Sequence, residues 1–195
     1  MNAVVDRAAG CLAGLALGDA MGMHGELWVP QKIRHTFGWL SGFHPAPPGH
    51  EIVDGFVAGQ VTDDTQQAFM LAATICEAGG ELRAEDVARE LVAWADRVNA
   101  SAGNFLGPSS AKAIELLRAG ADPRSTGNGG ETNGAAMRIA PVGIVRRPGD
   151  LYALVDAVVE ATVMSHNTGV AVSGASLVAG VISAGVEGAS LAEAI

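Results

Sequence analysis

Residues 61–80 read VTDDTQQAFMLAATICEAGG, and the class of the fold turns on how this run is understood. Thr62, Asp63, Asp64 and Thr65 open it, an apolar stretch from Ala68 to Ile75 follows, and two glycines close it. The pattern predicts a helix from about Thr62 to Glu77, with oxygen-bearing side chains at its start and Gly79-Gly80 past its end. In a capping reading, Asp63 accepts from the backbone N–H of Gln66 and the Gln66 side chain reaches back. A carboxylate there also favours the positive end of the helix dipole. That accounts for one aspartate well and for its repelling neighbour less well. In the other reading, a hydroxyl and two adjacent carboxylates offer only oxygen to a hard cation such as Mg²⁺ or Ca²⁺, an unsuitable set for zinc. The tetrapeptide alone leaves both readings open.

Outward from this run the same helical grammar repeats. AEDVARELVAWADRV, residues 84–98, puts Val87, Leu91, Trp94 and Val98 on one side of a helix beginning near Arg83. PSSAKAIELLRAG, residues 108–120, opens on Pro108-Ser109 and ends at Gly120. Two further helices are expected over about 149–163 and 168–186. Residues 3–18 form a helix of small residues in which Gly10, Gly14 and Gly18 share a face, the pattern of close helix packing. Between Gly25 and Gly59 lie four of the eight prolines, and this stretch reads as a long irregular connection. No segment alternates apolar and polar residues for long, so the chain is all-α: one domain over residues 1–195, without linker or repeat. The closing GASLAEAI starts a helical turn and gives no C-cap, which reads as an incomplete domain.

Composition narrows the function. The 195 residues are 49% hydrophobic but only 5% aromatic and 17% charged, so Ala, Val, Leu and 26 Gly fill the core. A net charge of −9 with no basic run repels a phosphate backbone, so nucleic acid is not an expected partner. Cys11 and Cys76 sit in apolar, Ala-rich runs and read as buried free thiols of a reducing compartment. Asp6 and Arg7 interrupt the place where a signal peptide would start its apolar core, so a cytoplasmic location is expected. The uncharged segment Gly169 to Gly185 is short for a membrane span and diluted by Ser and Gly; a buried helix is favoured.

Three more constellations could carry chemistry. Glu26 stands between Gly25 and Leu27-Trp28, an apolar setting that would raise its pKa if buried and suit it to acid/base work. GNGGETNGAAMRIAP, residues 127–141, could turn backbone N–H groups towards an anion as a nest, or be a flexible surface loop. It is no Walker A loop, since no Gly-Lys-Ser/Thr follows. His166, in Ser165-His166-Asn167 at the start of the uncharged helix, is a cap, a core residue or a ligand contact. No Gly-x-Ser-x-Gly elbow indicates a serine hydrolase.

In this order, GLALGDAMG with Glu26, TDDT, NGAAMRIAPVG and the SH…A…GA run resemble the ADP-ribosylglycohydrolase family from Gly10 to about Ala184, TDDT and NGAAMRIAP being the most specific parts. The resemblance implies a multi-helical fold holding two Mg²⁺ ions at the base of a cleft for ADP-ribose. It implies Thr62, Asp63 and Asp64 as metal ligands, with Glu26, Asp63 and Asp64 in catalysis. It implies Asn133 and Gly134 at the ribose and phosphates, Met137 packed nearby and His166 against the distal nucleotide; Gly18 and Asp19 read as structural. The expected activity is cleavage of the glycosidic bond between ADP-ribose and a protein side chain or small ADP-ribosyl group, through an oxocarbenium-like state. The family's second metal motif, Asp-x-Asp-Thr, is not found in these residues. The expectation is an under-coordinated site, weak or absent activity, and exposed apolar faces that favour self-association. The rival readings are an inactive ADP-ribose binder or crystallin-like relative and, further off, a phosphohydrolase.

Overall fold

The computed structural model describes residues 2–99 and 106–195. Among them there are helices and turns but no strand. In chain order the helices are α1 (Ala3–Gly22), α2 (Pro30–Phe37), α3 (Asp63–Glu77), α4 (Ala84–Arg97), α5 (Pro108–Arg118), α6 (Pro123–Thr126), α7 (Gly134–Met137), α8 (Ala140–Val145), α9 (Leu151–Thr162), α10 (Gly169–Glu187) and α11 (Leu191–Ala194). A short 3₁₀ turn, Met23–Gly25, extends α1.

Caps and stops act where local chemistry puts them. Asp150 accepts from the N–H of Ala153 to start α9, and Thr168 accepts from Ala171 to start α10. Pro108 occupies the first turn of α5, where its missing N–H costs nothing. Gly80, at φ +96°, donates to Ile75 as the chain leaves α3, and Gly188, at φ +111°, donates to Ala184 as it leaves α10.

The core forms where α3, α4, α8, α9 and α10 meet. Val87, Leu91 and Trp94 of α4 are buried together, as their spacing requires, against Leu71 and Ile75 of α3 and Leu154 and Val158 of α9. Trp94 donates its indole N–H to the Gln66 carbonyl oxygen at 3.1 Å, which satisfies the polar edge of a buried ring. A second, smaller core of Met23, Ala46 and Val53 lies under residues 38–61, with Ile52 and Phe56 against it.

Several expectations need correction. The stretch from Gly25 to Gly59 is not irregular throughout, because it contains α2. Pro30 is the first residue of that helix rather than a loop marker. Its inner face is only Ile33 and Phe37, four positions apart and partly buried, too short a pattern to announce the helix beside four prolines. The Gly10–Gly14–Gly18 face is open: a Cβ at any of the three would meet nothing within 4 Å. Cys76 is exposed on α3 and Cys11 only half-buried, so neither is a core thiol. Burial nevertheless pushes the Cys11 thiol up. Helix α10 has length and hydropathy enough to cross a membrane, yet lays Ala171, Ala175, Ala179 and Ser183 into the core and exposes Val170 and Leu177. His166 precedes α10 rather than starting it, since Thr168 is the cap.

The glycines of the 127–134 loop have a packing reason. A Cβ on Gly127 would sit 2.1 Å from the carbonyl oxygen of Val163, and one on Gly130 2.1 Å from that of Ser165. The loop lies flat on the 163–166 turn, held by Asn167 N–H to Gly127 O at 2.9 Å and the Thr168 hydroxyl to Gly130 O at 2.8 Å. Gly130→Ala should therefore destabilise by about 3 kcal/mol, because backbone rather than a flexible side chain must yield. Gly149→Ala, with nothing within 4 Å, should be neutral or stabilise by roughly 0.5 kcal/mol. Urea unfolding of the pair checks this; equal midpoints would refute the packing account.

Candidate active site

Five stretches line a cavity of about 590 Å³, within the usual range for small-molecule sites, with Ile52 alone coming from the segment between α2 and α3. The end of α1 and the turn after it supply Gly18, Asp19, Gly22, Glu26 and Leu27; the start of α3 supplies Thr62, Asp63 and Asp64. The approach to α5 supplies Leu106 to Pro108 and Ser110, and the start of α7 supplies Thr132, Asn133, Gly134 and Met137. Glu26, TDDT and NGAAM, remote in sequence, thus share one wall-to-wall space. Of the candidate residues, only His166 does not line it.

The start of α3 decides what the aspartates are for. Thr62, not Asp63, is the N-cap, and its hydroxyl accepts from the N–H of Asp64 at 3.3 Å. Asp19 does the remaining capping from 43 residues away. It accepts from the N–H of Thr62 at 2.9 Å and of Thr65 at 3.2 Å, and from the hydroxyls of Thr62 at 2.9 Å and Thr65 at 2.6 Å. Gln66 is engaged with Trp94 instead of reaching back. The capping-box expectation is overturned, and neither Asp63 nor Asp64 is needed to begin the helix.

What remains is a cluster of carboxylates that, among the described residues, has no cation in direct contact. Asp63 is 7% exposed. Burial, then Asp64 and Glu26, push its carboxyl up to about 7. Asp64 is raised by burial and by Asp19, against the hydrogen bond from Thr62. Glu26 is raised by partial burial, then by Asp64 and Asp19; its side chain opens onto the cavity, so water screens much of the effect. Among the described residues no Lys, Arg or His lines the cavity. Bringing these charges together costs energy that a divalent cation would recover.

The donor set fits a hard cation in kind: all oxygen, two carboxylates and one hydroxyl whose proton is drawn to Asp19. It is short in number. Among the described residues no three His, Cys, Asp or Glu side chains group as a metal site. Asp63, Asp64 and Thr62 would therefore hold such a cation only in part, with water or substrate supplying the remaining oxygens.

His166 stands behind the cavity wall. It is wholly buried, with Nε2 at 2.9 Å from the Thr132 hydroxyl and Nδ1 at 2.9 Å from the Ser165 hydroxyl. Gly134 makes room for it, since a Cβ there would lie 2.6 Å from its Cε1. In this structure His166 steadies Thr132 and α7 rather than facing a ligand. Burial and the nearby Arg138 hold its imidazole down at about 4, so it is neutral.

Three residues of the site region escaped the sequence reading: Thr132, Gln67 and Arg138. Gln67 lies four positions after Asp63, hence on the same helix face, and donates to Asp63 Oδ2 at 3.0 Å. Arg138 is a lone cation amid AAMRIAP, a signal that a buried charge has a task.

A family model described as ADP-ribosylglycohydrolase matches residues 1–195. The chain is 37% identical over 185 residues to the uncharacterized protein YegU of Escherichia coli K12, covering 95% of this chain and 55% of that one. It is 31% identical over 153 residues to the ADP-ribosyl-[dinitrogen reductase] glycohydrolase of Rhodospirillum rubrum, covering 76% and 48% respectively. A solved structure described as an ADP-ribosylglycohydrolase-related protein complex superposes with a TM-score of 0.77 at 25% identity, covering 97% of this chain and 59% of that one. The chain spans about half the length of these relatives.

Proposed function

Because the chain belongs to the ADP-ribosylglycohydrolase family, we propose that its cavity serves the hydrolysis of an ADP-ribosyl glycosidic bond, with Mg²⁺ held at Thr62, Asp63 and Asp64. The carrying observation is the carboxylate cluster in the cavity, raised by burial and then by mutual repulsion, and free of the duty of capping α3. Bound there, Mg²⁺ would supply Lewis-acid orientation of water and of ribose hydroxyls.

The chain's own residues supply the rest. Glu26 opens onto the cavity with a raised carboxyl, suited to take a proton from the water attacking the anomeric carbon. A bond from that water oxygen to carbon forms as the bond to the departing nitrogen or oxygen breaks, and the leaving group takes up a proton. Asn133 and Gly134, which line the same cavity, would meet the ribose and phosphates, with Met137 beside them. Asp19 keeps Thr62 aimed by absorbing its hydroxyl proton.

A second reading is retention of ADP-ribose without cleavage, favoured by the short ligand set. The two separate on an ADP-ribosylated protein: release of ADP-ribose that stops with EDTA supports hydrolysis, whereas saturable binding without release supports a reader. By calorimetry, Mg²⁺ should bind the chain, and Asp64→Ala should weaken it by a hundredfold or more. Equal affinity in wild type and variant would remove the cation from these residues.

A further inference from the structure

A buried chain of hydrogen bonds leaves the cavity floor at Asp63 and returns to the cavity wall at Thr132. At its centre Arg138, fully buried on the turn after α7, donates through Nη1 to Gln67 Oε1 at 2.8 Å and through Nη2 to Ser165 Oγ at 2.6 Å. On one side Gln67 donates to Asp63; on the other, Ser165 meets His166 and His166 meets Thr132. A guanidinium has five donors and no acceptor, and that one-sidedness propagates. Gln67 must turn its carbonyl to Arg138, so its NH₂ faces Asp63 and the carboxylate accepts there. Ser165 must accept from Arg138, so its single proton goes to His166 Nδ1, 2.9 Å away, in preference to the Thr162 carbonyl at 3.5 Å. His166 then carries its proton on Nε2 and donates to Thr132, whose own hydroxyl proton is left for another acceptor.

We infer that Arg138 is a positioning residue that sets the direction of every hydrogen bond between Asp63 and Thr132, and so aims both the cavity floor and the cavity wall. A buried cation without a carboxylate in direct contact is expensive. Its nearest opposite charge, Asp63, is reached only through Gln67, and burial pulls the guanidinium down to about 10, still charged at neutral pH. Two oxygens on opposite sides also explain why the residue is a fork and not a point charge. The consequence for Asp63 rests on the cation reading above; the consequence for His166 does not.

The test uses three single variants, one double variant and two independent readouts. Nitrogen-15 NMR reports the His166 tautomer, and calorimetry reports Mg²⁺ affinity. Wild type should show only the Nε2–H tautomer. Ser165→Ala cuts one branch: the tautomer should become mixed while Mg²⁺ affinity stays within about twofold. Gln67→Met cuts the other: affinity should fall about 10- to 100-fold with the tautomer unchanged. Arg138→Met should do both, and adding Gln67→Met to it should cost no further affinity, as expected of one shared path. A mere folding role would give parallel losses in both readouts for all three. Should Arg138→Met fail to fold, the two branch variants still decide through their opposite patterns. If wild type binds no Mg²⁺, the cation reading falls, and the tautomer in Ser165→Ala and Arg138→Met still decides whether Arg138 sets the network. An unchanged Nε2–H tautomer in both would overturn the inference.

Discussion

Asp63→Asn is expected to make the metal-free protein more stable at pH 8 by about 4 kcal/mol while ending Mg²⁺ binding. The folded carboxyl sits at about 7 against an ordinary 3.8, and each unit of that difference is worth about 1.4 kcal/mol. The sign follows from linkage. A group whose pKa is raised by folding holds its proton more tightly in the folded state. Below pH 3.8 both states are protonated and nothing is lost. As pH climbs towards 7 the unfolded chain ionises first, so stability drains away, and above 7 the full cost is present. Asparagine stays neutral and keeps an oxygen for Gln67, so the variant's stability should fall less steeply across that window, the remaining slope coming from the raised carboxyls of Asp64 and Glu26. In urea titrations with EDTA the variant and wild type should coincide near pH 4 and separate steadily to pH 8. At this chain length the gap corresponds to roughly 8–16 °C in melting temperature. Mg²⁺ should then close it from the other side, stabilising wild type by mass action and leaving Asp63→Asn unmoved. Coincident curves at pH 8 without metal would mean that neither burial nor repulsion raises the Asp63 carboxyl.

Glu26→Gln should separate chemistry from metal binding. Glu26 reaches the cavity from the turn after α1, while the proposed ligands lie at the start of α3. Replacing its carboxylate by an amide should leave Mg²⁺ affinity within a few-fold but lower kcat on an ADP-ribosyl substrate by about 10²–10⁴, the usual worth of a general base. KM should move little, since a group that works in the transition state contributes little to ground-state binding. The acid limb of the wild-type pH profile, set by a carboxylate that must be ionised to take a proton, should vanish in the variant. A Glu26→Gln protein with unaltered kcat would hand the role to Asp63 or Asp64 and leave Glu26 as a rim residue. Parallel losses in kcat and Mg²⁺ affinity would make it a ligand instead.

Much of the fold was legible because it is local. The all-α reading needed only periodicity and caps, and Val87, Leu91 and Trp94 sit together in the core as their spacing demands. The starts at Pro108, Asp150 and Thr168 and the stops at Gly80, Gly120 and Gly188 depend on residues no more than five positions apart. The family likewise showed in contiguous strings such as TDDT and NGAAMRIAP. Misreadings came where a local sign was ambiguous. Pro30 begins α2, yet in a run with three other prolines it looked like a loop residue.

What the sequence determined by itself was therefore most of the longer elements and the kinds of atom at the site: helices from their period, ends from their caps, and oxygen-only side chains at the start of α3. Only the tertiary structure decided how those atoms are used. Asp19 relieves Asp63 of capping from 43 residues away. The glycines of the 127–134 loop serve backbone contact with residues 163–166, the Gly10–Gly18 face is left bare, and His166 stands behind the wall it was expected to line. Arg138 joins Gln67 to Ser165 across 71 and 27 residues. The reason is one of range. A helix and its caps are set by hydrogen bonds within about four residues, whereas a charge, a hydroxyl's proton or a missing Cβ takes its meaning from whatever distant segment the fold brings against it.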